Sequence, residues 1–259
     1  MTLAVSNFSR RYGGLVAVDG VSFAALPGEI TAVIGPNGAG KTTLLNLISG
    51  VVVTQAGNCT LFGEEVGGRT PHELAQLGLT RTYQTPQLFD DMNVLETVMV
   101  GAHLRGRAGF LSSMFLMARS RREETRLEQE ALAAIERVGL PAALLHRRAT
   151  ELAYGLQRRV EIARALAMQP RVLLLDEPAA GLNPRETHEL AALVQTLALG
   201  GLVVVLVEHD MELVMGISRK VVVMNFGRKI AEGTPAQMQR DPAVIEAYLG
   251  SEQAEPTRA

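Results

Sequence analysis

Eight residues, Gly35-Pro36-Asn37-Gly38-Ala39-Gly40-Lys41-Thr42, constrain this chain more than any other feature. They satisfy G-x-x-x-x-G-K-[ST], the pattern of a loop that wraps phosphate groups. An apolar run, Ile30 to Ile34, precedes them, and a helix-like stretch, Thr43 to Ile48, follows. That is the strand–loop–helix setting the pattern requires. Gly35, Gly38 and Gly40 let the backbone turn where a Cβ would clash. The loop then turns its N–H groups on a phosphate chain, with a helix N-terminus behind it. Lys41 supplies a point charge for the β- and γ-phosphates, and the Thr42 hydroxyl is a ligand for Mg²⁺. The competing reading is a Gly-rich surface turn.

Similar strand signals recur on both sides of the loop. Leu3–Phe8 and Val18–Phe23 mix apolar and polar positions at short spacing, and Pro27-Gly28 makes a turn. They predict a half-exposed antiparallel sheet. Asn58–Phe62 reads as a further strand, and Pro71–Leu77 as a short helix capped by Thr70. From Asn93 to Ala167 helical periodicity takes over, with Arg126 and Glu130 spaced as an i, i+4 pair and Pro141 and Gly155 as breaks. Val172–Leu175 and Leu202–Val207 are continuous apolar runs, as expected of strands buried on both faces of a parallel sheet. Pro184–Leu199 is the helix between them, ended by Gly200. A hairpin is expected around Phe226-Gly227, and a frayed tail over 251–259.

Composition narrows the setting. With 259 residues and 47% hydrophobic content, the chain is long enough for one large domain with a subdomain, and the absence of Trp makes the core aliphatic. A net charge of −2 gives no global ground for a nucleic-acid partner or an anionic membrane surface. The single cysteine, Cys59, excludes an internal disulfide framework and fits a reducing compartment. No N-terminal signal is visible, and no run approaches the roughly 20 apolar residues needed to span a bilayer. The chain is expected to be soluble by itself and to reach a membrane through a partner.

Three further constellations carry chemistry. Val172–Leu175 ends in Asp176-Glu177-Pro178, two carboxylates at the carboxyl end of a buried strand, where open α/β sheets bind ligands. Asp176 is the candidate for the Mg²⁺ shell and Glu177 for polarising an attacking water. Taken alone, the pair also reads as a loop or capping acid pair. His209 follows the run Leu202–Val207, so it shares the same sheet edge; a lone histidine there is also an ordinary structural residue. Leu152-Ala153-Tyr154-Gly155-Leu156-Gln157 opens a helical run and offers N–H groups to an anion. Without context it is an ordinary helix start.

In this order, the phosphate loop, Gln84, Leu152–Leu156, Asp176-Glu177 and His209 resemble the ATP-binding subunit of an ABC transporter, over about residues 2 to 250. The resemblance implies an α/β fold: a P-loop NTPase (RecA-like) parallel-sheet core with an N-terminal antiparallel β subdomain and an inserted α-helical subdomain. Core and β subdomain would cover 1–92 and 168–250, and the helical subdomain 93–167. It implies that Tyr12 stacks on adenine and that Gly35 to Thr43 holds the phosphates. Gln84 would touch Mg²⁺ and the attacking water and sense the membrane partner. Ala153 to Gln157 would be the signature that meets ATP on a second protomer. Asp176 and Glu177 would be the metal-shell acid and catalytic base, Ala180–Asn183 the loop at the dimer seam, and His209 the γ-phosphate switch.

The implied assembly is a head-to-tail dimer with a second ATP-binding subunit, closed by ATP and reopened by hydrolysis. Transmembrane permease subunits and, indirectly, a solute-binding protein are the implied partners, at the cytoplasmic face of the inner membrane. Gly13-Gly14-Leu15, Leu182-Asn183-Pro184, Tyr154-Gly155 and Val244–Gly250 are similar to the branched-chain amino acid importer group; urea or short-chain amide importers are close relatives. A non-transport ABC ATPase is the alternative, disfavoured by a single cassette and no long insertion. A kinase, a GTPase or a pure binding module would leave the signature, His209 or Glu177 without a role. Ala153 departs from the usual signature Ser, Leu156 from the usual Gln and Asn183 from the usual Asp. A lost hydrogen bond to a charged group is worth about 1.5–3 kcal/mol, but the Gly155 N–H and the helix N-terminus remain, so active but slower hydrolysis is expected. Phe89, Met92, Val94, Leu95, Val98 and Met99 are candidates for a permease socket or for plain core. The Arg-flanked run Phe110–Met117 is a candidate membrane-facing or partner-facing segment, or core.

Overall fold

The computed structural model describes residues 3–103 and 117–252, without the side chains of 117–123 and 249–252. The chain packs as two compact units, Met1–Arg81 with Arg171–Ala259, and Thr82–Pro170. In chain order the first unit contains β1 (Leu3–Tyr12), β2 (Leu15–Ala25), β3 (Ile30–Ile34), α1 (Lys41–Ile48), β4 (Ala56–Leu61), β5 (Glu64–Glu65), α2 (Pro71–Gln76) and β6 (Leu79–Arg81). After the second unit come β7 (Val172–Asp176), α6 (Pro184–Leu199), β8 (Val203–Val207), α7 (Met211–Ile217), β9 (Lys220–Asn225), β10 (Arg228–Gly233), α8 (Pro235–Met238) and α9 (Pro242–Glu252).

Six of these strands form a sheet in the order β10-β9-β3-β8-β7-β6, parallel except for the β9–β10 hairpin. β3, β7 and β8 are buried at every position. Their unbroken apolar sequences follow from having no face in water. The other sheet, β2-β1-β4-β5, is antiparallel. Its alternating strands turn Leu3, Val5, Phe8, Val18, Val21 and Phe23 into a core shared with Leu44, Leu45, Leu47 and Ile48 of α1. Each such side chain, fully buried, stabilises by about 1.5–3 kcal/mol. α1 is therefore held from both sides, and so is the loop that feeds it.

Val244 and Tyr248 of α9 pack with Ala32 and Ile34 of β3. The helix continues through Glu252, past the expected start of the tail at 251, and the rest of the tail lies outside the described residues.

The second unit is built on α3 (Val94–His103), α4 (Met117–Arg137) and α5 (Tyr154–Ala167). Asn93 and Glu96 cap α3 reciprocally, each side chain accepting the other's backbone N–H at 2.9 Å. The Arg126–Glu130 pair on α4 closes at 2.9 Å, while Ala131, Ala134, Ile135 and Val138 are buried. Pro141 opens a short 3₁₀ turn, Ala142–Leu144. Gly155 is no break; it is the second residue of α5. The helical texture expected over 93–167 lies within a unit that begins at Thr82. Its first residues have no periodicity, but their backbone is hydrogen-bonded to α5. The Arg-flanked run beginning at Phe110 falls largely outside the described residues.

Cys59, the chain's one thiol, lies on β4 at 2% exposure, and burial pushes it up to about 12. The thiolate is the reactive form. Alkylation with iodoacetamide at pH 8, followed by mass spectrometry, is expected to leave the folded chain unmodified and to label it fully in denaturant. Rapid labelling of the folded chain would refute this placement.

Candidate active site

The phosphate loop leaves β3 at Gly35 and enters α1 at Lys41. Gly35 has φ 151°, and a Cβ there would lie 2.1 Å from the Met224 carbonyl oxygen. Gly40, at φ 98°, would place a Cβ 2.2 Å from the Ala17 oxygen. Glycine is thus required at both ends because the loop is wedged against β9 and β2. Between them Ala39 is buried, its N–H donates to Pro36 O at 3.2 Å and its carbonyl accepts from Gly227 N at 3.0 Å. Pro36 is half-buried, whereas Asn37 and Gly38 are exposed.

α1 begins without a side-chain cap and without an acid in its first turn. Its first N–H groups have no preceding turn to bond, and the helix end is electropositive. Thr42 is exposed there and Thr43 half-buried. Lys41 is buried, and its Nζ donates to Gly35 O at 2.6 Å and Pro36 O at 3.0 Å. Burial pulls this ammonium below its ordinary pKa, and the carboxylates of Glu177 and then Asp176 oppose the fall. Tyr12 closes β1 at 43% exposure, with the Arg10 guanidinium 4.9 Å from its ring centroid.

Asp176 ends β7, buried, and its Oδ2 accepts from Arg81 Nη2 at 2.8 Å. Arg81 also donates to Asn46 Oδ1 at 2.7 Å and Ser49 Oγ at 3.0 Å. One guanidinium thus joins the ends of β6, α1 and β7. Glu177 follows at φ 45°, a conformation that costs a residue with a side chain about 1–3 kcal/mol. Its N–H donates to Val207 O at 2.9 Å, which ties it to β8. His209 Nδ1 lies 3.9 Å from Glu177 Oε2 and 3.8 Å from Glu208 Oε2. Asn183 is the N-cap of α6: its Oδ1 accepts from Glu186 N at 3.0 Å, and Glu186 returns the bond. The first unit therefore brings together Gly35 to Thr43, Asp176, Glu177 and His209, all at the carboxyl edge of its parallel strands.

Gln84 and Ala153 to Gln157 belong to the second unit. Ala153 is the N-cap of α5 and has no side-chain cap bond. Its carbonyl accepts from Leu156 N and Gln157 N at 2.8 and 3.0 Å. Tyr154 and Gly155 open the helix, so their N–H groups have no preceding turn to bond. Leu156 is half-buried. Gln157 uses its amide to donate to Thr150 O and Leu152 O, both at 2.9 Å, which staples the turn before α5.

The Gln84 segment is held by a buried ion pair. Arg158 Nη1 lies 2.9 Å from Glu161 Oε2, both about 1% exposed. Arg158 donates to the carbonyls of Tyr83, at 2.6 Å, and of Gln84, and to Tyr154 Oη at 3.1 Å. Glu161 accepts from Tyr83 N at 3.0 Å. Of the socket candidates, Val94, Leu95 and Val98 are core, Met92 and Met99 half-buried and Phe89 exposed.

The sequence model of the ABC transporter family matches residues 18–180. The chain belongs to that family. A second model, of the branched-chain amino acid ATP-binding cassette transporter, matches residues 228–254. The cassette is 44% identical over 249 residues to BraF of Pseudomonas aeruginosa, a high-affinity branched-chain amino acid transport ATP-binding protein. That match covers 96% of this chain and 97% of BraF. Identity to LivG of Escherichia coli K12, which bears the same description, is 43% with the same coverage. Among solved structures, the ADP conformation of an ABC-transporter cassette superposes with a TM-score of 0.83 at 33% identity. The superposition covers 96% of this chain and 98% of that one.

Arg81, Glu161 and Glu208 stand in the cassette's buried polar networks without having been singled out in sequence. Glu208 had a readable signal: it follows an apolar strand, as Asp176 closes β7. Arg81 had only its proximity to Gln84. Arg158 directly follows the signature stretch, but its partner Tyr83 is 75 residues away.

Burial raises the Glu161 carboxyl above its ordinary range, against the opposing effects of the Tyr83 N–H and of Arg158. Replacing Arg158 with Met removes the compensating cation, so a loss of about 3–5 kcal/mol is expected in chemical denaturation. The folded variant then keeps a proton that the unfolded chain releases above its ordinary carboxyl pKa. Stability relative to wild type therefore falls as pH rises, and the deficit is smaller at pH 5 than at pH 8. Arg158→Met with Glu161→Leu should recover part of the loss and abolish its pH dependence, because the unpaired carboxyl is gone while the Tyr83 and Gln84 backbone groups still lose their bonds to these side chains. A pH-independent deficit would refute the assignment.

Proposed function

We propose that the cassette is the ATP-hydrolysing subunit of an importer for branched-chain amino acids, working as a head-to-tail dimer with permease subunits and a solute-binding protein. The observation that carries it is the convergence of Lys41, Asp176, Glu177 and His209 on one sheet edge beside an uncapped helix N-terminus. The likeness to BraF and LivG over nearly the whole chain supports the solute class. Among the described residues, no helix is long and apolar enough to cross a membrane. Attachment to the cytoplasmic face of the inner membrane is accordingly assigned to the permease contact.

The geometry fits nucleotide and metal. The exposed loop backbone at Asn37 and Gly38 and the first turn of α1 present N–H groups to a triphosphate. Phosphate oxygens replace the Gly35 and Pro36 carbonyls as acceptors for Lys41. Tyr12 offers a flat exposed ring for adenine. Mg²⁺ prefers one or two hard protein oxygens plus phosphates, a set that Thr42 and Asp176 of the first unit supply. When bound, the ion would neutralise charge on the phosphate oxygens.

Glu177 accepts the proton of the attacking water. Its unusual φ accompanies the N–H bond to Val207 O that ties it to β8. His209, within reach of Glu177, donates toward the γ-phosphate. The backbone N–H groups of Tyr154 and Gly155 serve a nucleotide on the partner subunit, with no hydroxyl from position 153.

Removing a positioned general base costs about 10²–10⁴-fold. With the permease subunits present, Glu177→Gln is expected to lose at least about 100-fold of ATPase activity while ATP drives the variant into a stable dimer. Wild-type turnover should rise with leucine, isoleucine or valine and the cognate solute-binding protein. ATPase equal in wild type and Glu177→Gln would refute the catalytic reading. A variant that stays monomeric at saturating ATP would refute the dimer.

A further inference from the structure

Glu208 is a wholly buried carboxylate, 0% exposed, directly before the switch histidine. Its Oε1 accepts from the N–H of Ala179 at 2.8 Å, and its Oε2 from the N–H of His209 at 3.1 Å. Ala179 lies two residues after Glu177, in the loop that leaves β7. His209 begins the loop that leaves β8. One carboxylate therefore bridges the two loops that carry the proposed base and switch.

The bridge is placed at their roots. β7 and β8 pair in parallel with Asp176 opposite Val207, so the residues that follow, Glu177 and Glu208, leave the sheet side by side. Glu177 itself bonds Val207 O at 2.9 Å, and its Oε2 is 3.9 Å from His209 Nδ1. That same ring nitrogen is 3.8 Å from Glu208 Oε2. His209 thus has one ring nitrogen near both a half-buried carboxylate and a wholly buried one. A buried carboxylate is costly unless N–H groups meet it. Here burial raises its pKa, and N–H bonds from Ala179, His209 and Asp210 oppose the rise.

We propose that Glu208 is a positioning residue for hydrolysis: its bonds to the Ala179 and His209 backbones fix the imidazole of His209 against Glu177. The proposal rests on Glu177 and His209 being the base and switch. A hydroxyl residue at 208 would be too short to reach Ala179. Glutamine keeps the size but substitutes an NH₂ for one carboxylate oxygen, so one backbone N–H faces a donor. Aspartate keeps the charge and shortens the reach.

The test measures ATPase kinetics of the assembled transporter with Glu208→Gln, Glu208→Asp, His209→Ala and Glu208→Gln/His209→Ala. Nucleotide affinity is followed with a fluorescent ATP analogue. Glu208→Gln is expected to lower kcat about 10-fold or more with KM and nucleotide affinity within about 2-fold of wild type. Glu208→Asp should fall between Gln and wild type. Residues in one network are non-additive, so Glu208→Gln should add nothing to His209→Ala. Equal additional loss on the His209→Ala background, or a loss confined to KM, would overturn the proposal, since a merely structural role predicts those outcomes. If Glu208→Gln does not fold, Glu208→Asp, alone and combined with His209→Ala, decides the matter by the same criterion. Wild type without ATPase would instead overturn the functional reading beneath it.

Discussion

Two cations and two carboxylates are confined at the end of β7, and the first unit is arranged around their balance. Lys41 and Arg81 are the cations; Asp176 and Glu177 are the acids. A buried charge without a partner costs several kcal/mol, so neither pair tolerates being half built. Arg81 satisfies Asp176 with Nη2 and donates from Nη1 to Asn46 and Ser49, at the far end of α1. Lys41 satisfies itself on the loop's own carbonyls while remaining in the field of both acids. Such a network contributes little net stability compared with an apolar equivalent. Its consequence is register: α1, β6 and β7 have one arrangement in which Arg81 reaches Asn46, Ser49 and Asp176 together.

Much of this arrangement was legible because it rests on local rules. The apolar runs Val172–Leu175 and Leu202–Val207 read as strands buried on both faces and Ile30–Ile34 as the strand before the phosphate loop, and β7, β8 and β3 are buried at every position. Thr70 announced α2, and the capping box with Glu73 is present. The phosphate loop was readable because glycine, lysine and threonine carry its chemistry within eight residues. Illegible were the contacts that span long sequence separation. Arg81 meets Asp176 across 95 residues and Arg158 meets Tyr83 across 75. Periodicity reports which face of an element is buried, not which polar group waits on the other side. The start of the second unit at Thr82 escaped for the same reason: Tyr83 and Gln84 have no pattern of their own and take their place from Arg158 and Glu161.

Asn183 and Gln157 show how a motif position acquires a local duty. Asn183 stands where the family usually has Asp, in the loop implied at the dimer seam. Its side chain accepts from Glu186 N as the cap of α6, a job Asn performs as well as Asp. Gln157 looked like part of a nucleotide-facing signature, yet its amide holds the backbone at Thr150 and Leu152. In both cases the short polar side chain is used within its own turn, where a sequence motif cannot distinguish support from contact.

Helix ends make the same point in reverse. α2, α6, α7 and α8 begin with Thr70, Asn183, Asp210 and Thr234, each accepting a backbone N–H from its own helix. α1 and α5 begin with Gly40 and Ala153, and neither has a side-chain cap bond. Forgoing a cap costs about 1 kcal/mol, and this chain supplies caps freely elsewhere. A capped helix has spent its leading N–H groups on its own side chain; an uncapped one keeps them for an anion. Among the α-helices whose N-caps are described, the two left open are those assigned to phosphate, one in each unit. Ala153, a defect if a hydroxyl is thought essential, is consistent with recognition by backbone alone. Local rules are broken where function needs the group that the rule would have consumed.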